Sequence, residues 1–540
     1  MSTIKRLLAF TIITLAIISP ITASANSNIT ETKPRLVINI VVGQLRYDYL
    51  IRYNENLSTK GFRALISEGA TCQQASYNFL ATSTPAGLAT LTTGANPSTH
   101  GIIGPEWFNY TTGERVRLLE DKSVQTIGAD HYDTQLSPKS LIATTVGDAL
   151  KSSSPFSKVI SIAFDPLSAI LTGGVAADAA YWVNHRKGDF VSSSYYLNRL
   201  PDWVNVFNQK EMAQQHGSTP WRISHSASTF KNFQKTDIKA DNSEGLLDWA
   251  KRKDWDFDNF KATPFANTYL RDFAVQTIIH EKLGTDKHTD MLNIVFDPSR
   301  YVGEKYGTQS METEDCFYRM DKEIASILEY ISSQFKPEDV LVVLSSDHGA
   351  VDQLSETSRN PSGIFNSHQF SILMNGFIGA KIGGDKKWVL DFMNNQVYLD
   401  RAELYRKGHS IEDVQNLIAE FAIQFKGVSR GITGSSLTKD YFTGGIMGKA
   451  QNSFFERTSG DVTLCLLPGW AAGNGKLSDS GSPYNYDTHV PLMFWGGGIK
   501  NQKVMRTVDL CDVAPTISSL IGIAPPLAAT GGTIIELHNR

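Results

Sequence analysis

The chain has 540 residues, 41% of them hydrophobic, 20% charged and 10% aromatic, with a formal net charge of −4. That apolar share excludes an intrinsically disordered chain, and the length exceeds what one compact core usually holds. The mildly acidic balance lacks the basic footprint that a nucleic-acid-binding surface needs.

In chain order, the first signal is one of processing. Lys5 and Arg6 precede an apolar run over 7–18, Pro20 breaks it, and Ala23, Ser24 and Ala25 supply small residues ahead of Asn26. The run is shorter than the roughly 20 residues a bilayer crossing requires. Residues 1–25 therefore read as a cleaved signal peptide, and 26–540 as an exported chain with no membrane span, either periplasmic or secreted. Leu36–Val42 is a β-branched apolar run suited to a buried parallel strand. Similar runs recur at 159–164, 292–296, 340–344 and 491–494.

Helical patterns lie between these runs. Phe317, Met320, Ile324, Ile327, Leu328 and Ile331 share one face. Ser410 is placed as an N-cap for a helix carrying Val414, Leu417, Ile418, Phe421 and Phe425 towards a stop at Gly427. Strands alternating with helices predict an α/β fold with a mostly parallel sheet between helices. Two stretches interrupt the alternation and read as cap insertions, at about 180–265 and 375–445. The first is rich in aromatics, including Tyr195, Tyr196, Trp203, Trp221, Trp249 and Trp255, which core packing accounts for. No internal repeat or low-complexity linker is visible. Cys72, Cys316, Cys465 and Cys511 are widely spaced, which argues against a zinc–thiolate site. They allow up to two disulfides in an oxidising compartment or, equally, buried free thiols.

Several segments at predicted strand ends form a series: VVGQLRYD at 41–48, TPAGLATLTTG at 84–94, PSTHGI at 97–102 and AIL at 169–171. ADAAYW at 177–182, YVG at 301–303, SSDHG at 345–349 and SPYNYDTHVP at 482–491 continue it. Any one of these is weak, but in this order they are specific. The series resembles the phosphate-irrepressible alkaline phosphatases, relatives of the nucleotide pyrophosphatase/phosphodiesterases, from about residue 36 to the end. The resemblance implies an alkaline-phosphatase-like core over 26–540 holding two zinc ions and a threonine nucleophile that is transiently phosphorylated.

Carried over residue by residue, the resemblance places the nucleophile at Thr84. It makes Asp347 and His348 ligands of the metal beside that threonine, and His489 a ligand of the other metal. The remaining positions depart from the family. Gly43 stands where the first-strand aspartate ligates zinc. Arg300 and Glu304 stand where an aspartate and a histidine ligate the other ion; a guanidinium has no lone pair to give, so of the replaced ligands only Glu304 could still bind the metal. Asp165, Leu167 and Pro105 replace groups that contact the phosphoryl oxygens, and losing one such donor costs about 10²–10³ in rate. These substitutions imply at most one bound zinc and lost or strongly reduced phosphatase activity, with the cleft binding a phosphate ester, another small ligand or a partner. The alternative is an active monoester or diester hydrolase using Thr84 and a one-zinc site. Arg300 and Glu304 are expected to face each other as a bidentate pair, joined by His489.

Overall fold

The computed structural model describes residues 33–129, 135–231, 256–352, 362–383, 387–472 and 476–538. The signal-peptide reading, Trp249 and Trp255 fall outside these residues.

One ten-stranded sheet organises the chain. Its strands are β1 (Leu36–Val42), β2 (Ala70–Ser76), β3 (Thr126–Ile127), β4 (Val159–Ala163) and β5 (Ala179–Val183). Then come β6 (Phe190–Ser193), β7 (Asp290–Phe296), β8 (Val340–Ser345), β9 (Leu492–Gly496) and β10 (Gln502–Asp509). Their spatial order is β10-β2-β9-β8-β1-β7-β4-β5-β6-β3. The centre, β8-β1-β7-β4-β5, is parallel. Strand β9 runs antiparallel to both its neighbours, β8 and β2, so the run at 491–494 is a strand but not a parallel one.

Both faces of the sheet are covered, which is why β1 reads as a continuous apolar run. Leu36, Ile38, Ile40 and Val42 pack in one core with Met320, Ile324, Ile327 and Leu328 of the helix Met311–Gln334. Val37 and Val41, pointing the other way, pack in a second core with Leu88 and Leu91 of helix α1 (Thr84–Thr93). Ile170 and Leu171 of helix α2 (Pro166–Gly173) join that second core. The period-2 alternation of a strand thus divides one sequence between two layers.

The first cap insertion begins inside the sheet rather than outside it, since 179–183 and 190–193 are β5 and β6. Its aromatics Trp203 and Trp221 pack in or against the first core, as predicted. The second insertion is wider than 375–445. A four-stranded antiparallel sheet is built from Val389–Met393, Gln396–Leu399, Val462–Leu466 and Val428–Thr433, in that spatial order. Ser367–Ile382 and Ile411–Ala422 pack on it around Phe370, Met374, Val414, Ile418 and Leu464. The Ser410 hydroxyl accepts from the Asp413 N–H, the predicted cap. All four cysteines are buried and unpaired, and burial pushes the Cys72 and Cys316 thiols up to about 12. Among the described residues no helix is long and apolar enough to cross a membrane.

Candidate functional site

The parallel strands end on one edge, and their carboxyl ends carry the candidate residues, as an open α/β sheet requires of its binding crevice. Gly43 follows β1, Asp165 follows β4, and Asp347 and His348 follow β8. Helix α3 (Pro298–Tyr306) leaves β7 through Asp297 and carries Arg300 and Glu304 four residues apart on one face. Strand β2 delivers Thr84 to the start of α1, where Ser83 rather than Thr84 is the N-cap, accepting from Ala86. That leaves the Thr84 hydroxyl free of capping duty.

The hydroxyl of Thr84 donates to Asp347 Oδ2 at 2.7 Å and lies 3.1 Å from His348 Nε2. His348 Nε2 is 3.4 Å from Asp347 Oδ2, so the three groups surround one point. Asp347 is fully buried and its Oδ1 accepts the backbone N–H groups of Gln44 and His348, each at 2.9 Å. Gln44 makes its bond from the left-handed region, at φ 60°, a strained conformation for a residue with a Cβ. His348 Nδ1 is 2.6 Å from the Gly349 carbonyl oxygen, which fixes that nitrogen as the protonated one and leaves Nε2 as a bare lone pair facing Thr84 Oγ1, whose hydrogen is given to Asp347. Helix α1 reaches this position because Gly87 has no side chain; a Cβ there would sit 1.9 Å from the Asp347 carbonyl oxygen.

Across the same cavity, of about 380 Å³, stand Arg300, Glu304, Asp165 and Lys476. Arg300 Nη1 lies 3.2 Å from Glu304 Oε1, and Lys476 Nζ lies 2.9 Å from that same oxygen. Arg300 Nη2 is 3.8 Å from Asp165 Oδ2, which also accepts from the Tyr301 hydroxyl at 2.8 Å. The Arg300 guanidinium lies 4.3 Å over the Tyr301 ring. Burial pushes the Glu304 carboxyl up, but Arg300 and Lys476 outweigh it and hold the group below its ordinary value. Behind them Asp297 is fully buried and accepts from the Phe164 and Asp165 N–H groups and the Ser168 hydroxyl. Burial, with Asp165 nearby, pushes its carboxyl up to about 7 against the opposing pull of Arg300.

The expected bidentate Arg300–Glu304 pair is thus a branched network, because Lys476 competes for the same carboxylate oxygen. His489 does not join it. Its Nε2 lies 3.0 Å from the Gln73 carbonyl oxygen and its ring stacks on Tyr47 at 4.2 Å. Burial lowers its pKa, which suits a neutral ring donating to that carbonyl. Pro105 and Leu167 line the cavity as the sequence placed them, without a polar side-chain group. Asp165 is the N-cap of α2, its Oδ1 accepting from Leu167 N at 2.9 Å.

Sequence reasoning missed Lys476, Asp479 and the hairpin tip Asn394–Asn395, all of which line the cavity. The tip had a readable signal: two asparagines between apolar runs, here both left-handed at φ 52° and 57°, make a hairpin turn. Lys476 and Asp479 carry no local signal.

The donors divide in their fitness for metal. Thr84, Asp347 and His348 can hold one cation between them, although Gly43 contributes no fourth donor. The second position does not fit: a guanidinium and an ammonium stand there, and the histidine is turned to a carbonyl. Among the described residues no group of three or more His, Cys, Asp or Glu side chains converges on one point.

Comparison with known proteins places this geometry in context. The profile of the type I phosphodiesterase/nucleotide pyrophosphatase family matches residues 37–490. The chain is 30% identical to alkaline phosphatase PhoV of Synechococcus elongatus, over 94% of each chain. It is 31% identical to a protein of Myroides odoratus named calcium-transporting ATPase, over 93% of this chain and 94% of that one. The crystal structure of alkaline phosphatase PafA superposes with a TM-score of 0.88 at 29% identity, covering 94% of this chain and 99% of that one.

Proposed function

The chain belongs to the type I phosphodiesterase/nucleotide pyrophosphatase family, and from that premise we propose that it is an exported protein whose phosphatase activity is strongly reduced and whose cleft binds a small ligand. The observation that carries this reading is the charge of the cleft wall. Where the resemblance places phosphate-contacting donors, the wall offers Asp165, Leu167 and Pro105. The cations present, Arg300 and Lys476, are already engaged by Glu304 and Asp165. Among the described residues lining the cavity, a phosphate dianion meets carboxylates with no unengaged cation to neutralise it, and positioned charge supplies most of phosphoryl-transfer catalysis.

A second reading has its own support. Thr84, Asp347 and His348 lie within 2.7–3.4 Å of one another, and relatives along the whole chain are named alkaline phosphatases. One ion held there would supply a lowered threonine pKa and charge for a developing oxyanion. In that reading Asp347 orients the hydroxyl, and diesters, with one less charge to neutralise, are better substrates than monoesters. Turnover of aryl phosphate monoesters and diesters with added zinc, compared between the native chain and Thr84→Ala, decides between them. Weak turnover that Thr84→Ala leaves unchanged is expected. A rate matching that of a named alkaline phosphatase and abolished by Thr84→Ala would overturn the reduced-activity reading.

A further inference from the structure

We propose that Arg300 is a built-in cation standing permanently where the second metal ion of a two-metal cleft would be, so that this side of the cleft is assembled by ion pairing instead of coordination. The proposal rests on the reading of the cleft above, but concerns assembly, not turnover.

The geometry makes the guanidinium a hub. One nitrogen serves Glu304, another points to Asp165, and the plane lies over Tyr301, whose own hydroxyl is fixed on Asp165. It joins the ends of two sheet strands, since Asp165 follows β4 and Arg300 follows β7. Lys476, 172 residues from Glu304 in sequence, closes the far side through that carboxylate, and the Leu477 N–H donates to the Glu304 carbonyl at 2.8 Å. These are the tasks a metal performs in such a site: gathering anionic groups from separate strand ends and neutralising them. A guanidinium does so with fixed charge and planar donors, without exchange.

The start of α3 packs tightly on the end of β1. Gly43 packs so close to α3 that an added Cβ would lie 3.0 Å from Arg300 Cβ and 3.3 Å from the Phe296 carbonyl oxygen. A side chain at 43 would therefore require α3 to give slightly at its first turn. The contact is with atoms that any side chain at 300 would share, so the glycine withdraws a ligand and the arginine separately supplies charge. Side-chain exposures of 12% for Arg300 and 14% for Glu304 keep both mostly out of water, where removing one partner of a pair is costly.

The test uses the full mature chain with zinc alone as the probe. Calorimetric titration of the native chain should show no more than one zinc equivalent. Arg300→Ala should lower the melting temperature by roughly 3–8 °C, with no recovery on adding zinc, and Arg300→Lys should recover part of the loss. The triple variant Gly43→Asp, Arg300→Asp, Glu304→His should take up a second equivalent and gain zinc-dependent stability. Two equivalents bound by the native chain would overturn the proposal, whatever the variants do. So would an Arg300→Ala chain that melts like the native one. Fast turnover that depends on Thr84 would sink the reduced-activity reading and leave the role of Arg300 untouched.

Discussion

Asp347 is where a structural role and the proposed metal-binding role can be separated by one atom. Its carboxylate is wholly buried and pairs with no Lys or Arg among the described residues, yet it accepts from Gln44 N, His348 N and the Thr84 hydroxyl at 2.7–2.9 Å. Asp347→Ala leaves the two backbone N–H groups orphaned, at about 1–3 kcal/mol each, for a total of about 2–6 kcal/mol. Asp347→Asn keeps Oδ1 as the acceptor of both N–H groups. Its new amide N–H can donate to Thr84, whose hydroxyl is free to turn and accept. It also removes a buried charge, so in chelator its stability should stay within about 1 kcal/mol of native. Urea denaturation in chelator measures both variants, and zinc titration should show binding lost in each. If Asn destabilises as much as Ala without metal, the fold itself uses the negative charge. The account of Asp347 as an acceptor of hydrogen bonds first and a ligand second would then be wrong.

Two further outcomes follow from buried groups near the site. His100 is fully buried, and burial pushes its pKa down to about 3 against the help of a backbone bond. Its Nδ1 accepts from Ile102 N at 3.1 Å and its Nε2 lies 3.2 Å from the Thr90 hydroxyl, so a second proton has no acceptor. The unfolded chain takes that proton first, so stability falls as pH drops below the ordinary 6.5 towards 3, by about 1.4 kcal/mol per pH unit for one proton. His100→Gln should remove that slope in denaturation measured at pH 7 and pH 5, and an unchanged slope would refute the assignment. Gly87→Ala drives a methyl group into the Asp347 carbonyl oxygen, 1.9 Å from the ideal Cβ, and should cost about 1–3 kcal/mol by displacing α1. A thermal melt reads this directly, and an unshifted transition would show that the helix does not need such close contact.

How far the sequence discloses this fold depends on what each strand touches. Strands β1, β7 and β8 are covered on both faces and read as apolar runs. Strand β2, ATCQQAS, and the edge strand β10, QKVMRTVD, mix buried and exposed positions and show no such run. The direction of β9 was not legible, because an apolar run specifies burial and not the heading of its neighbours. Thr84, Asp347 and His348 were placed by motif order: the last two directly follow the end of β8, and Thr84 opens α1, the helix that follows β2. The orientation of His489 depends on Gln73, 416 residues away, and that of Glu304 on Lys476. No short-range pattern encodes either contact.

The contrast between these residues bears on how such a cleft can lose a metal without losing its shape. The strand ends converge because of the hydrophobic layers on both sides of the sheet, whose strands contain none of the site side chains. The chemistry at those ends can therefore change while the fold persists, as a scaffold separate from its site allows. Change is still not free, because an anionic cluster such as Asp165, Asp297 and Glu304 repels itself when no cation is present. Arg300 is the residue that resolves this. It is anchored on α3 one turn before Glu304, inside the ring of carboxylates, and its charge does not depend on supply from solution. Within this trio Lys476 pairs with Glu304 only, so a chain without Arg300 would lose the cation that faces Asp165 and Asp297. The arginine is the cation of this cluster that reaches both Glu304 and Asp165, which is what the role proposed for it requires.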